Sequence, residues 1–269
     1  MAKTLSRLSA PSSMSTNSTH FKDYLINGGR VVRDGAVVRL SIPPTTRAAY
    51  ADAQLDDYDH ITRTFANTPP QHVRIRARFS HPSGKLKGTA GFGFWNHPFT
   101  QAGGVIEPPR NLWFFYGSPE SDMQVVRGMP GHGFKAAVLK SPLPLGEGGV
   151  REAVTKAMIV AGNLALKLPI ARTLAMRAAQ RMVRAHEAAL DFDMTQWQDY
   201  DLLWQRDEAI FCVNGREVLR APKPPSGSLG FVAWIDNYRA TATPDGRYEF
   251  GYVDVIEEQW LELEIDPSP

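Results

Sequence analysis

Glu120, Asp122 and Gln124 alternate in the stretch NLWFFYGSPESDMQ (111–124), directly after a run of aromatic residues. In a strand, alternate side chains point to one face, so two carboxylates and an amide would lie together. A retaining glycosidase needs two carboxyl groups about 5–5.5 Å apart, one as nucleophile and one as general acid/base. Gln124 cannot exchange a proton, and Pro119 lacks the N–H that a central strand requires. We therefore predict a polar loop, with Glu120 and Asp122 retained as catalytic candidates.

A second candidate site lies in FVAWIDNYRATATPDGR (231–247). On a strand, Trp234, Asp236 and Tyr238 share a face, and Asn237 lies on the other. An aromatic wall with a few convergent polar groups is typical of a ligand cleft. Asp236 is the leading candidate for moving a proton, and Trp234, Asn237 and Tyr238 are candidates for ligand binding. Alternatively, Asp236 and Asn237 begin a turn, which their side chains favour.

A glycine-rich strand, GTAGFGFWN (88–96), ends in further candidates. We expect the following aromatic and polar residues to converge in one cleft: Trp95, Asn96, Trp113, Tyr116, Trp234 and Asp236. His97 and His132 are candidates for acid/base work because imidazole titrates near neutrality, although a histidine of this kind is more often an ordinary loop residue.

Three acids in QLDDYDH (54–60), namely Asp56, Asp57 and Asp59, form an oxygen-rich cluster. Such clusters can hold calcium, but this spacing is not that of a known calcium loop. The chain has no HExxH, CxxC, P-loop or strand-linked GxGxxG motif. We therefore assign no metal site and no cofactor.

The elements that must position these residues are mostly strands. VRIRARF (73–79) alternates apolar and basic residues with period two, which indicates a half-buried strand. Asn214-Gly215 predicts a tight hairpin turn. The other predicted strands are 88–96, 111–118, 199–205, 209–219, 228–238, 247–256 and 259–265. Short strands separated by Pro and Gly predict a β-sandwich or barrel.

One alanine-rich, basic segment has helical spacing instead. We predict an α-helical insertion at about residues 146–191. It is either an insertion packed on the sandwich with its arginines in solvent, or a lid over a pocket. A third possibility is an amphipathic surface at 150–190 for a membrane or a protein partner.

Composition limits the class of protein. The chain has 269 residues, 43% of them hydrophobic, and a net charge of +2, which suits a soluble globular protein and does not suggest nucleic acid as a partner. The single cysteine, Cys212, cannot form an internal disulfide. Residues 1–20 lack a secretory apolar region and predict a disordered tail or an organelle transit segment. We expect a cytoplasmic protein with one domain at 21–269.

The stretch WQDYDLLWQRDEAIFCVNGREVL (197–219) combines Trp197, Tyr200 and Trp204 with the turn Val213-Asn214-Gly215. It resembles the late strands of the concanavalin A-like jelly roll, especially those of the family-16 glycoside hydrolases. The resemblance implies a jelly-roll β-sandwich and a catalytic Glu-x-Asp-x-Glu strand. The only near match to that strand here is Glu120 to Gln124, which lacks the final glutamate.

Three functions remain open at this point. The first is a glucanase-like protein that binds a carbohydrate or related ligand in an aromatic cleft, without standard retaining glycosidase activity. The second is a binding protein, cyclase or isomerase for a hydrophobic small molecule held under the helical insertion. The third is an active glycoside hydrolase that uses non-standard acids.

Overall fold

The computed structural model describes residues 21–97, 109–126, 128–141, 183–243 and 247–266. The predicted disordered tail, 1–20, lies outside the described residues, as does most of the predicted helical insertion. The part of the chain that the structure describes contains no helix able to span a membrane.

The described chain forms two seven-stranded antiparallel sheets and a hairpin. In spatial order, sheet A contains β1 (Lys22–Ile26), β4 (Asp52–Asp56), β13 (Gly230–Asp236), β6 (Thr89–Trp95), β7 (Arg110–Gly117), β8 (Gly133–Lys140) and β9 (Arg184–Ala189). Sheet B contains β12 (Arg216–Pro222), β11 (Glu208–Val213), β10 (Gln198–Trp204), β5 (Gln71–Phe79), β16 (Gln259–Ile265), β3 (Val37–Ile42) and β2 (Arg30–Asp34). The hairpin pairs β14 (Tyr238–Ala242) with β15 (Tyr248–Tyr252).

The core lies between the two sheets and follows from period-two alternation. On β5, Ile75, Ala77 and Phe79 are buried, while the arginines between them face away from the core. On β13, Phe231, Ala233 and Ile235 enter the same core. The predicted all-β sandwich is therefore confirmed, with two large antiparallel sheets packed around one core.

The hairpin between β11 and β12 forms at the predicted turn. Asn214 and Gly215 have φ angles of 51° and 74°. Both values lie in the left-handed region, as a two-residue turn of this type requires, and asparagine and glycine are the residues that tolerate it.

The predicted helical insertion is wrong at its C-terminal end. Residues Arg184–Ala189 form β9, the edge strand of sheet A, in antiparallel register with β8. Alanine favours helix, but the unpaired edge of β8 and a buried contact between Glu187 and Lys135 stabilise the strand here. The rest of the predicted insertion, up to residue 182, lies outside the described residues.

Candidate ligand-binding site on the outer face of sheet A

The outer face of sheet A, which points away from the core, carries its own hydrophobic cluster. Four rings from β6, β7 and β13, namely Trp95, Trp113, Phe115 and Trp234, form what we call the aromatic cluster. The ring centroids of Trp95 and Trp234 lie 6.1 Å apart with their planes within 3° of parallel. Those of Trp113 and Trp234 lie 5.3 Å apart, so the rings form one continuous group.

Glycines on β6 make room for these rings. In the strand register, Gly91 lies between Trp234 and Phe115, and Gly93 lies between Val232 and Trp113. A Cβ atom on Gly91 would lie 2.2 Å from the carbonyl oxygen of Phe114 and 3.0 Å from the Trp234 ring. The large side chains of the flanking strands therefore fit only because β6 has no side chain at Gly91.

Most of the aromatic cluster is covered. Trp113, Phe115 and Trp234 are only 5%, 7% and 6% exposed. Trp95 is half-buried, and partly buried side chains, among them Phe65 and Met123, pack around the group. Access to the cluster is therefore at Trp95 and its surroundings.

A pair of buried carboxyl groups lies beside the aromatic cluster. Asp52 on β4 and Asp236 on β13 are directly opposed across the strands. Burial raises the pKa of Asp236 to about 6. Burial, and secondly the charge of Asp236, raise the pKa of Asp52 well above its usual value. One buried oxygen of Asp52, Oδ1, has no hydrogen-bond partner among the described residues.

The carboxyl pair is connected to the aromatic cluster through Thr89. The Trp234 indole Nε1 donates to Thr89 Oγ1 at 3.0 Å, and that hydroxyl donates to Asp236 Oδ1 at 2.8 Å. The backbone N–H groups of Thr89 and Tyr238 donate to the same oxygen. Three donors thus fix the Asp236 carboxyl against the edge of the aromatic cluster.

A group of polar side chains, Gln54, Asp56, Tyr58, His60 and His97, lies on the other side of Trp95, and we call it the imidazole cluster. His60 Nε2 lies 2.7 Å from Asp56 Oδ2, which also accepts a hydrogen bond from Gln54 Nε2 at 2.8 Å. Asp56 is fully buried, while the His60 side chain is 22% exposed. The carboxylate therefore holds the imidazole by one nitrogen, an arrangement that orients histidine bases in enzymes.

The phenol of Tyr58 joins the imidazole cluster to Trp95. Its oxygen accepts the Trp95 indole N–H at 2.8 Å and lies 3.1 Å from His97 Nδ1. Burial lowers the pKa of His97 to about 4, and the nearby positive charge of Arg63 acts in the same direction. Burial also raises the pKa of the Tyr58 hydroxyl. Both groups are therefore neutral at physiological pH.

The strand that supplies the acids, DAQLD (52–56), is missing from the sequence prediction. Asp52, Gln54 and Asp56 alternate on the outer face, whereas Ala53 and Leu55 enter the core. Asp and Gln are uncommon in strands, which obscures the pattern. The signal that could have found it is the alternation of polar residues with Ala51, Ala53 and Leu55.

The structure brings five of the predicted residues together on the outer face: Trp95, His97, Trp113, Trp234 and Asp236. Two others do not converge with them. Tyr116 points into the core, where its hydroxyl donates to the Leu86 carbonyl at 2.9 Å. Asn96 is fully buried, and its Oδ1 accepts the Arg110 backbone N–H at 2.9 Å.

Asn237 and Tyr238 follow the end of β13 and lie apart from the aromatic cluster. Asn237 accepts from the backbone N–H of Ala51 at 2.9 Å and donates to the carbonyls of Ala49 and Val253. It therefore ties two backbone segments, at residues 49–51 and at Val253, to the end of β13. Tyr238 begins β14 and stacks on Phe250.

Glu120, Asp122 and Gln124 lie after the end of β7, in the predicted loop. Glu120 pairs with Lys87, and Gln124 donates to the Met129 carbonyl at 3.1 Å. Asp122 bridges to β14 through its backbone, and its carboxylate pairs with Arg247 at 2.9 Å. These side chains hold the loop and are not arranged along one strand face.

The remaining acids and histidine are dispersed. Asp57 accepts the backbone N–H of Phe231 at 2.8 Å, and Asp59 caps the turn at Ile61, so neither faces Asp56. His132 is exposed. Among the described residues, no group of three or more His, Cys, Asp or Glu side chains is placed to hold a metal ion.

No protein-family model matches the chain, and no curated protein matches it. Similar solved structures include a prokaryotic β-1,3-1,4-glucanase (lichenase) derived from a mouse hindgut metagenome, with 11% identity and a TM-score of 0.47, covering 94% of this chain and 95% of that one. A glycoside hydrolase family 16 endo-glucanase from Bacteroides ovatus has 6% identity and a TM-score of 0.45, covering 93% and 96%.

A GlcNAcα1-4Gal-releasing endo-β-galactosidase from Clostridium perfringens has 11% identity and a TM-score of 0.44, covering 95% of this chain. The chain spans only 60% of that protein's length. The fold described above follows from the strand order of this chain itself, and the site follows from its own side chains.

Proposed function

We propose that the protein binds a carbohydrate, or a related hydroxylated ring compound, on the outer face of sheet A. One observation carries the proposal: the aromatic cluster lies between two groups of polar side chains on the same face and is hydrogen-bonded to both. An apolar wall flanked by a few fixed polar groups is the composition of a small-molecule site. A sugar ring offers the matching surfaces, because it has apolar faces and a polar edge.

The binding surface that we propose is the side of the aromatic cluster that includes Trp95. Trp95 is the half-buried member, and its indole N–H is already bonded to Tyr58, so its ring is held in place. His97 lies next to it on the polar side, and His60 lies next to His97. A ring compound packed on Trp95 would therefore have polar partners within reach at its edge.

Standard retaining hydrolysis is not part of this proposal. Glu120 and Asp122 are each paired with a cation, and the third position of the motif is Gln124. The acids on the outer face, Asp52 and Asp236, have raised pKa values because they are buried. These observations support binding, with any chemistry performed by residues outside the Glu-x-Asp-x-Glu pattern.

A second candidate function is the binding of a hydrophobic small molecule on the same face. The observation that favours it is the apolar composition of the cluster beside Trp95, where Trp113, Phe115 and Trp234 pack with Val232 and Leu139. An apolar ligand would gain by contact with the apolar side of Trp95, whereas a sugar would gain by contact with its polar side. The two candidates therefore differ in which part of the face the ligand covers.

Glycan-array binding of wild-type protein and of Trp95→Ala tests the proposal. We expect loss of the indole to weaken binding about tenfold or more, since aromatic contacts contribute on the order of 1 kcal/mol beyond their buried area. Trp197→Ala is the matched control, because Trp197 lies on the outer face of sheet B under Arg76 and Arg78.

Equal losses in the two variants would contradict the proposed location. Native mass spectrometry of protein purified from its host separates the two candidates. A bound apolar molecule that is absent from Trp234→Ala, together with no glycan binding, would favour the second function.

A further inference from the structure

We propose that His60 and His97 form a directional pair in which His60 Nδ1 accepts a hydrogen bond and His97 Nε2–H donates one. The pair would bind two neighbouring hydroxyl groups of the ligand, one as donor and one as acceptor. This inference rests on the proposed function and names the polar half of its site. We call the two side chains the histidine pair.

The polarity of His60 follows from its carboxylate partner. Asp56 Oδ2 is an acceptor, so the His60 nitrogen 2.7 Å away, Nε2, carries the proton. In the neutral ring, Nδ1 is then the acceptor. Nδ1 has no hydrogen bond to any residue in the described part of the chain. The ring is fixed by stacking on Tyr24, with centroids 4.2 Å apart, and on Tyr58 at 5.0 Å.

The polarity of His97 follows from counting donors at Tyr58. The phenol oxygen accepts from Trp95 Nε1 at 2.8 Å and from Gln54 Nε2 at 3.2 Å, and these two bonds occupy both lone pairs. The third contact, at 3.1 Å to His97 Nδ1, must therefore use the phenol's own hydrogen. Nδ1 of His97 is thus an acceptor, and the proton of the neutral ring is on Nε2.

The assignment of Gln54 is consistent with this count. Its Nε2 contacts Asp56 Oδ2, which only accepts, so the atom must be the amide nitrogen. The nitrogen has two hydrogens, one for Asp56 and one for Tyr58, and its contact with His60 Nε2, at 3.4 Å, is the longest of its three. The contacts of Asp56 Oδ2, Tyr58 and His97 Nδ1 therefore form one consistent set of donors and acceptors, while Asp56 Oδ1 is buried without a partner in the described residues.

The histidine pair is close enough to act on one ligand. The ring centroids of His60 and His97 are 5.0 Å apart, and His97 lies 5.0 Å from the Trp95 ring in an edge-to-face contact. Within the described residues, Nε2 of His97 also has no hydrogen-bond partner. A pyranose ring packed on Trp95 would place adjacent hydroxyl groups at these two nitrogens, one of which needs a donor and the other an acceptor.

The first test measures the proton positions directly, by nitrogen-15 NMR of the imidazoles in the full-length protein at neutral pH. We expect the His60 proton on Nε2, facing Asp56, and the His97 proton on Nε2 with Nδ1 unprotonated. A proton on Nδ1 of either ring would overturn the pairing. This readout needs no ligand and is independent of the proposed function.

The second test uses methyl pyranosides and their monodeoxy analogues with His60→Gln, His97→Gln and the control His132→Gln. We expect each of the first two variants to lose at least tenfold in affinity for the parent glycoside. The loss should disappear for the analogue that lacks the hydroxyl facing that histidine. His132→Gln should bind as the wild type does, because His132 is exposed in the loop before β8.

The outcomes separate the two proposals. Binding that is lost in Trp95→Ala but kept in both histidine variants would overturn the histidine pair and leave the proposed function standing. A wild-type protein that binds none of the glycosides would overturn the proposed function, together with the ligand assigned to the pair.

Discussion

Strand alternation decides which of the predicted site residues lie on the outer face of sheet A. Trp113 and Tyr116 were expected in one cleft, but they are three positions apart on β7 and so lie on opposite faces. Asn96 follows the last residue of β6 and is fully buried, whereas the ring of Trp95 is half-buried on the outer face. Residue types thus indicate which strands form the site. The face of the sheet on which each residue lies, which alternates along the strand, decides whether that residue belongs to the site.

Other residues could not be assigned from the sequence. Asn237 follows a strand carrying Trp234 and Asp236, which suggested a ligand contact, but it binds three backbone groups. His60 was not singled out, because its role depends on Asp56 and Tyr58 in the folded chain. Contacts of this kind are set by tertiary structure and have no local pattern.

The Asp52 and Asp236 pair predicts a pH dependence of stability. The pKa of Asp236 rises from 3.8 to about 6 on folding, so the folded protein holds this proton more tightly than the unfolded chain. The contribution to stability is complete below pH 4 and is lost as the pH rises to about 6, an effect on the order of 3 kcal/mol. Asp236→Asn should show a correspondingly smaller fall in the urea-unfolding free energy between pH 4 and pH 8.

The control for this measurement is Asp34→Asn, at an exposed position on β2. The unfolding free energy of this variant should fall between pH 4 and pH 8 by as much as that of the wild type. If the free energy of unfolding changed between pH 4 and pH 8 by the same amount in the wild type and in Asp236→Asn, the carboxyl pair would not retain a proton.

The strands that the sequence predicts are rich in apolar or aromatic residues. The strands that it does not predict lack this composition. β5, β6, β7 and β13 follow from alternation or aromatic runs. β4 was missed because its outward residues are Asp, Gln and Asp, and β9 because its sequence, RAHEAA, has high helix propensity. Both strands are stabilised by pairing with neighbours that are distant in sequence.

The backbone of β6 predicts that one methyl group disrupts the site. Gly91→Ala would place a Cβ atom 2.2 Å from the Phe114 carbonyl oxygen, which belongs to the adjacent strand and cannot move independently. We expect a loss of about 2 kcal/mol or more in the free energy of unfolding, measured in urea. We also expect a change in the near-ultraviolet circular dichroism of Trp234, whose ring lies 3.0 Å from the added atom.

The matched control is Gly251→Ala on β15. Its nearest neighbour is the flexible Arg239 side chain at 3.2 Å, so the added methyl should cost far less. If the two variants lost the same free energy of unfolding, the close neighbours of Gly91 would not be the reason that β6 has glycine at this position.

For the whole molecule, the two sheets present outer faces of different character. Sheet B carries Arg74, Arg76 and Arg78, which pair with acids such as Glu262 and Glu264 and cover Trp197 and Trp260. Sheet A carries the aromatic and imidazole clusters. The two-sheet sandwich was predictable because its strand spacing and its late hairpin are local features. The difference between the faces was not, because it depends on which strands become neighbours.

The sheet order predicts where unfolding begins. β6, β7 and β13 are central in sheet A and buried along most of their length, whereas β2 and β12 are edge strands with many exposed residues. In native-state hydrogen exchange we expect the central strands to exchange only through global unfolding. The edge strands should exchange at least 100-fold faster. Protection of β2 equal to that of β13 would contradict this order.

The near-parallel indoles of Trp95 and Trp234 have a consequence for observing the protein. Two such chromophores 6.1 Å apart, with Trp113 only 5.3 Å from one of them, share their electronic transitions. Their coupled absorption reports the relative orientation of the rings and is distinct from that of Trp197 and Trp204 on the other sheet. The face that we assign to ligand binding thus has a spectroscopic signal of its own, and a ligand that moves the Trp95 ring would change that signal.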